Sequence, residues 1–255
     1  QGVNQVDFAW ANTRIDASSI VFRVVGEEGV RVLSVSYPPG EAALVWSVFA
    51  PTAGAATVRI SYLLDGLGKT YSYRALATTD ERSLRLSQYV RLRNDANESF
   101  GETGIWLRDD QRITRPLDRA ETRELLVERW PHVPVLKTFS VDPAGVGWLN
   151  QAQKKLKVAM HYVVKNDTDS GLGKVPLPAG KARIFQEDGR GGSAFLGEDW
   201  GQRTAPGDEM RLFLGLSRDV VVKRSVIRNE RRRVEGNLFE QHIVLRYAIE
   251  NFKDE

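Results

Sequence analysis

The chain has 255 residues, of which 42% are hydrophobic and 27% charged, with a formal net charge of +3. That composition belongs to folded globular chains rather than disordered ones, and the length suffices for one large or two ordinary cores. The charge is too balanced to imply a nucleic-acid partner, the absence of cysteine excludes disulfides and thiolate chemistry, and no apolar run is long enough for a membrane-spanning helix. The three histidines, His132, His161 and His242, stand far apart, so no metal or other cofactor is expected. The opening Gln1-Gly2-Val3-Asn4 has neither an initiator methionine nor an apolar leader and reads as a processed or trimmed segment.

Taken in order, the first half reads as successive strands. Val3, Phe8 and Trp10 open it; 19–25 is β-branched and apolar, and 30–37 follows the Gly26/Gly29 turn. Residues 43–50 form a continuous apolar run, as expected of a strand covered on both faces. Val58, Ile60, Tyr62 and Leu64 then alternate with Thr57, Arg59 and Ser61, and Asp65-Gly66 turns the chain towards 69–77. In 83–93, Leu84, Leu86, Val90 and Leu92 point one way, and Arg85, Ser87, Tyr89, Arg91 and Arg93 the other.

Between Thr114 and Trp130 the pattern of Leu117, Ala120, Leu125 and Leu126 predicts a short helix, with Pro116 in its first turn. Trp130-Pro131-His132-Val133-Pro134 ends it, and the two prolines place a domain junction there. Beyond it, Leu156, Val158, Met160, Tyr162 and Val164 predict one strand, with His161 on its polar face. Strands over 210–216, 219–228 and 239–249 complete the set. Three strands run out into a charged residue plus asparagine, at Arg93-Asn94, Lys165-Asn166 and Glu250-Asn251, and the asparagines are 72 and 85 residues apart. That spacing matches one sandwich module and equally suits asparagine's liking for turns.

The stretch 177–199 reads as a hairpin. Leu177-Pro178-Ala179-Gly180 is a turn, Ala182, Ile184 and Phe185 a short strand, Asp188-Gly189 with Gly191-Gly192 an acidic reversal, 193–196 the return, and Gly197-Glu198-Asp199 the next turn. Its glycines precede no helix, so no phosphate cradle is expected. Asn166-Asp167-Thr168-Asp169-Ser170-Gly171 has carboxylates at alternate positions, but counting twelve from Asp167 reaches Pro178, where a calcium loop needs Glu. Asn94-Asp95-Ala96-Asn97-Glu98 fails in the same way. The carboxylate pairs Asp109-Asp110 and Glu198-Asp199 converge only if a turn brings them together. The one concentrated charge is the basic segment 223–233, in which Lys223, Arg224, Arg228, Arg231, Arg232 and Arg233 face a single Glu230. These six are the candidate interaction residues.

A string of motifs resembles the mucoidy-inhibitor-A-like family, which is built around a domain of unknown function. The motifs are Ile60 to Gly66 with Tyr71 to Tyr73, Asn94 with Ser99-Phe100, Leu177-Pro178-Ala179-Gly180 with Arg183, Phe195-Leu196-Gly197-Glu198-Asp199, and Ala205 to Glu209 leading to Gly215 and Asp219-Val220. The resemblance spans roughly 50–251 and implies an exported multi-module β-protein. It supplies no established catalytic residues; Lys69-Thr70 stands where the family has an aromatic, and no coiled coil is present.

The expected fold is all-β, with two antiparallel sandwich-like modules in tandem over 1–130 and 135–255, one short helix near the junction, and the first strand of a further module at the end. The expected function is that of a non-enzymatic protein of the cell envelope or surface, outside the cytoplasm, acting in protein–protein binding or self-assembly. Two alternatives stand beside it. One is binding of an anionic polymer or surface through 223–233; the other is a carboxylate-dependent enzyme resembling glycoside hydrolases.

Overall fold

The structure, a computed structural model, describes residues 1–26, 28–142 and 151–252. It is all-β. In chain order the strands are β1 (Gly2–Ala9), β2 (Val21–Val25), β3 (Arg31–Ser36), β4 (Ala43–Ala50), β5 (Thr57–Ser61), β6 (Leu67–Ala77), β7 (Ser83–Asn94), β8 (Phe100–Arg108) and β9 (Gln111–Leu117). They continue as β10 (Thr122–Pro134), β11 (Leu136–Ser140), β12 (Gln153–Leu156), β13 (Ala159–Lys165), β14 (Gly180–Glu187), β15 (Ser193–Gly201), β16 (Glu209–Leu216), β17 (Val220–Glu235) and β18 (Leu238–Asn251). Among the described residues the one helical element is the three-residue 3-10 turn Ala17–Ser19, started by Asp16, whose carboxylate accepts from the Ser18 N–H at 2.9 Å.

The chain forms two compact units, Gln1–Thr70 with Arg91–Leu125, and Tyr71–Val90 with Leu126–Glu255. In the first unit β4 is the central strand of the sheet β1-β4-β3. Its sequence ALVWSVFA is apolar nearly throughout, yet only the alternate residues Leu44, Trp46 and Val48 are buried. They face a core that takes Phe8, Trp10, Phe22 and Ile60, with Phe22 stacked on Trp46 at 4.8 Å between ring centroids. One face of β4 is thus covered fully and the other in part. Strands β2 and β5 pair from Val21↔Ser61 to Val25↔Thr57, and β8 and β9 form a hairpin.

In the second unit two sheets share a core. Tyr73, Ala75, Ala77, Leu84, Leu86, Ala182 and Ile184 come from the sheet β10-β7-β6-β14-β15, and Tyr162, Val164, Met210 and Leu212 from the sheet β11-β13-β16. Burying each of the larger apolar side chains contributes about 1.5–3 kcal/mol. Strand β14 runs parallel to β6, from Gly180↔Tyr71 to Gln186↔Ala77, a departure from a purely antiparallel expectation. A parallel pair needs a long crossover, and the chain between Ala77 and Gly180 supplies it. A third sheet, β12-β17-β18, ends in a long ribbon.

Four expectations are corrected. The helix predicted over Thr114–Trp130 is the end of β9, a turn, and most of β10. Leu125-Leu126 imitates a helical stripe, but Val127 and Val133 are the buried residues, and β10 is an edge strand, the place in a sheet where proline is best tolerated. Pro131 and Pro134 therefore sit inside a strand rather than a linker, and the units interleave along the chain instead of meeting at 130–135. The strand predicted across 156–164 is two strands in different sheets, β12 pairing with β17 and β13 with β11 and β16. Gly197-Glu198-Asp199 is no turn: it lies in β15, with Glu198 opposite Arg183 and Asp199 opposite Ala182.

Candidate interaction surface

The family-motif residues of 177–199 hold backbone together. Leu177 exchanges both main-chain hydrogen bonds with Thr204 at 2.9 Å, and the Pro178 carbonyl accepts from the Tyr73 hydroxyl at 2.6 Å. Gly180 lies against the Tyr71 carbonyl, where a Cβ would approach to 2.5 Å. Arg183 pairs with Glu198 across the strands at 3.5 Å, beside Lys181 at 3.0 Å. Gly197 passes the Leu214 carbonyl, and the Asp199 carboxylate accepts from the Phe213 N–H at 2.7 Å. At the reversal, Asp188 Oδ1 accepts from the N–H groups of Arg190 and Gly192 at 2.8 and 2.9 Å.

The two loops with calcium-like spacing are instead organised by buried asparagines. Asn94 Nδ2 donates to the carbonyls of Glu98, Leu117 and Asp118 at 2.7, 3.2 and 3.0 Å, and its Oδ1 accepts from the Ala96 N–H. Asn166 Nδ2 donates to Val175 and Thr204 at 3.1 and 3.0 Å, and its Oδ1 accepts from the Gly173 N–H at 2.7 Å. Each asparagine also clamps a turn through its backbone: Asn94 meets Asp118-Arg119-Ala120-Glu121, and Asn166 meets Ala205-Pro206-Gly207-Asp208. The third residue of each turn has positive φ, 60° at Ala120 and 91° at Gly207. The strand-exit asparagines are thus one device used twice. Asn251 ends β18 opposite Val220, the first residue of β17.

Sequence reading missed a cluster in the second unit. Glu81, in the β6–β7 turn with φ of 55°, receives Lys137 Nζ at 2.5 and 2.6 Å and the Tyr162 hydroxyl at 2.6 Å. Burial, reinforced by the Glu81 carboxylate, pushes the Tyr162 hydroxyl well above its ordinary pKa. The three residues come from distant parts of the chain, so no local motif announces them. Their mutual saturation ties a turn to β11 and β13. Among the described residues, no three His, Asp or Glu side chains gather as a metal-holding group.

Several carboxylates are held below the ordinary range by donors. The Thr78 hydroxyl acts on Asp80, the Asp118 N–H on Glu121, the Ser170 N–H on Asp167 and the Lys181 ammonium on Glu198. A lowered folded-state pKa means that the stabilisation is present above the unfolded value and is lost as pH falls through the folded one. The melting temperature is therefore expected to hold level from about pH 7 to 5 and to drop below about pH 4. A transition unchanged down to about pH 3 would contradict these donors' role.

The basic segment lies in the β17–β18 ribbon, and the structure disperses its charges. Val220, Val222, Arg224 and Val226 alternate towards the inner face, so Arg224 is only 2% exposed, with its Nε donating to the Gln151 carbonyl at 3.0 Å. Lys223 pairs with Glu250 at 2.5 Å and Arg228 with Glu230 at 2.6 Å. Arg231 lies over the Phe239 ring at 3.4 Å, Arg233 Nε donates to the Gly236 carbonyl at 2.8 Å, and Arg232 is exposed. The ribbon is amphipathic rather than a basic stripe. Among the described residues its outer half has no third strand, since β12 reaches only Val222 and Arg224. Ile227, Val234, Leu238, Phe239 and Val244 are exposed there, Leu238 to 70%. At its base an apolar groove of about 320 Å³ is lined by Phe139, Val141, Val158, Val220, Val222, Tyr247 and Ile249.

Asp109 and Asp110 form the β8–β9 turn, with Asp110 bound to Arg108, while Glu198 and Asp199 sit on successive residues of β15. Each pair is engaged by local partners. Compared with protein-family models, curated proteins and solved structures, the chain matches none.

Proposed function

We propose that the protein is a non-enzymatic β-scaffold of the cell envelope or surface, akin to the mucoidy-inhibitor-A-like family, that works by binding protein chains, its own copies included. The observation that carries the binding reading is the outer half of the β17–β18 ribbon. A two-stranded ribbon is marginal in water by itself, and this one turns large apolar side chains outward on both faces. Covering them with another chain removes both costs. The dispersed, locally paired charges weigh for a protein partner over an anionic polymer. The envelope location rests on the family resemblance.

A photo-crosslinking residue in place of Phe239, in the full chain and in its own cells, tests the reading. Adducts to protein are expected there and not from the same residue at Tyr37, which is exposed and belongs to the other unit. Equal yields at the two positions, or no adduct from Phe239→photo-crosslinker protein, would sink it.

A further inference from the structure

We propose that the free edge of β18 pairs antiparallel with β18 of a second copy of this chain, about a two-fold axis through Ile243. The inference rests on the docking reading above and names the partner. Strand β18 is the outer strand of the sheet β12-β17-β18 and, among the described residues, pairs only with β17. Natural edge strands are usually blunted by bulges, prolines or lysines. Here both irregularities, at Val226/Arg228 and Arg233/Glu235, fall in β17, while β18 runs unbroken from Leu238 to Asn251 without proline or lysine.

The edge has the hydrogen-bonding parity that such a pair needs. Phe252 donates its N–H to the Asp219 carbonyl at 2.8 Å, so by alternation the even-numbered residues of β18 turn their main-chain groups towards β17. The odd-numbered ones, Ile243 among them, turn theirs to the free edge. Two copies related about Ile243 would exchange N–H and C=O across the axis.

The side chains select that register. Centring on Ile243 sets Glu240 opposite Arg246 of the second copy and Phe239 opposite Tyr247 of the second copy, each pair occurring twice by symmetry. Phe239 and Tyr247 are exposed in the single chain, as are Glu240 and Arg246. Centring on Leu245 instead opposes Glu240 with Glu250, and centring on Val244 leaves both Glu240 and Arg246 without an opposite charge across the strands. Charge complementarity of the strand with its own reverse thus favours one alignment. The product is a continuous sheet across both copies, in which neither distal ribbon is left two-stranded.

Sedimentation equilibrium of the full chain tests this with four proteins: the parent, Glu240→Arg, Arg246→Glu and the double variant. The parent is expected to dimerise at micromolar concentration. Each single variant sets like charges opposite one another twice and is expected to weaken the dimer roughly tenfold, and the double variant to restore it. Both positions changed are solvent-exposed, and recovery in the double variant separates lost pairing from lost folding. A parent monomeric at every concentration, a dimer indifferent to the single changes, or a double variant that fails to recover would each overturn the proposal. A monomer that still crosslinks to a different protein through position 239 removes self-pairing and leaves the docking reading standing. A monomer with no crosslink removes both.

Discussion

Replacing Asn166 by alanine is expected to destabilise the second unit by about 3 kcal/mol. The side chain is fully buried and makes three hydrogen bonds, all to backbone: it donates to Val175 and Thr204 and accepts from Gly173. Truncation would leave the Gly173 N–H without this acceptor, at a cost of about 1–3 kcal/mol, and would take one donor each from the carbonyls of Val175 and Thr204, the latter keeping its bond from the Leu177 N–H. Thr204 also exchanges main-chain bonds with Leu177, so the damage reaches the start of β14. For a protein of this size the loss corresponds to a fall in melting temperature of about 6–12 °C. Asn94→Ala should act similarly in the first unit, because it removes the buried side chain's bonds to the carbonyls of Glu98, Leu117 and Asp118 and from the Ala96 N–H. Asn4→Ala, at an exposed side chain, should shift the transition little. A melting point for Asn166→Ala within about 2 °C of the parent would show that the asparagine is not the keystone described.

Gly180→Ala is expected to cost about 3 kcal/mol for a different reason, a lack of room. The added methyl would lie 2.5 Å from the Tyr71 carbonyl oxygen and 2.8 Å from its carbon. Both atoms belong to backbone, so no side chain can swing aside, and β14 would have to lift from β6 at the first pair of their ladder. Gly101→Ala is the matched control, since a Cβ there meets nothing within 4 Å. The sharper readout is amide hydrogen exchange: protection along β14 should fall in Gly180→Ala and stay at the parent level in Gly101→Ala. Parent-like exchange of β14 amides in Gly180→Ala would refute the close approach.

Local patterns carried much of the fold. The alternation in β7 was legible because it is half-covered: Leu84, Leu86, Val90 and Leu92 are buried while Arg85, Arg91 and Arg93 are exposed. The repeated strand-exit asparagines were legible as an echo, and their common role emerged only when the distant turns they clamp came into view. Strand β10 was misread because an edge position excuses its prolines, and edge position is a property of the sheet, not of thirteen residues taken alone. Arg224 was within reach, since its alternation with Val220, Val222 and Val226 already puts it on the apolar face. The Glu81 cluster and the free edge of β18 were beyond reach: the first joins residues far apart in sequence, and the second depends on which strands are missing from one side.

The parallel pairing of β14 with β6 also sets a timetable for synthesis. Residues 71–77 leave the ribosome about a hundred residues before the strand that covers one of their edges, a wait of about 5–20 s at ordinary elongation rates. Throughout it, β7 can close on the other edge of β6, but the edge that β14 will take stays open. A nascent chain in this condition is held back by translation speed, not by the search for its own partner. Slower elongation would lengthen the exposure of that edge, and synonymous changes between codons 78 and 180 would alter yield without touching the folded molecule.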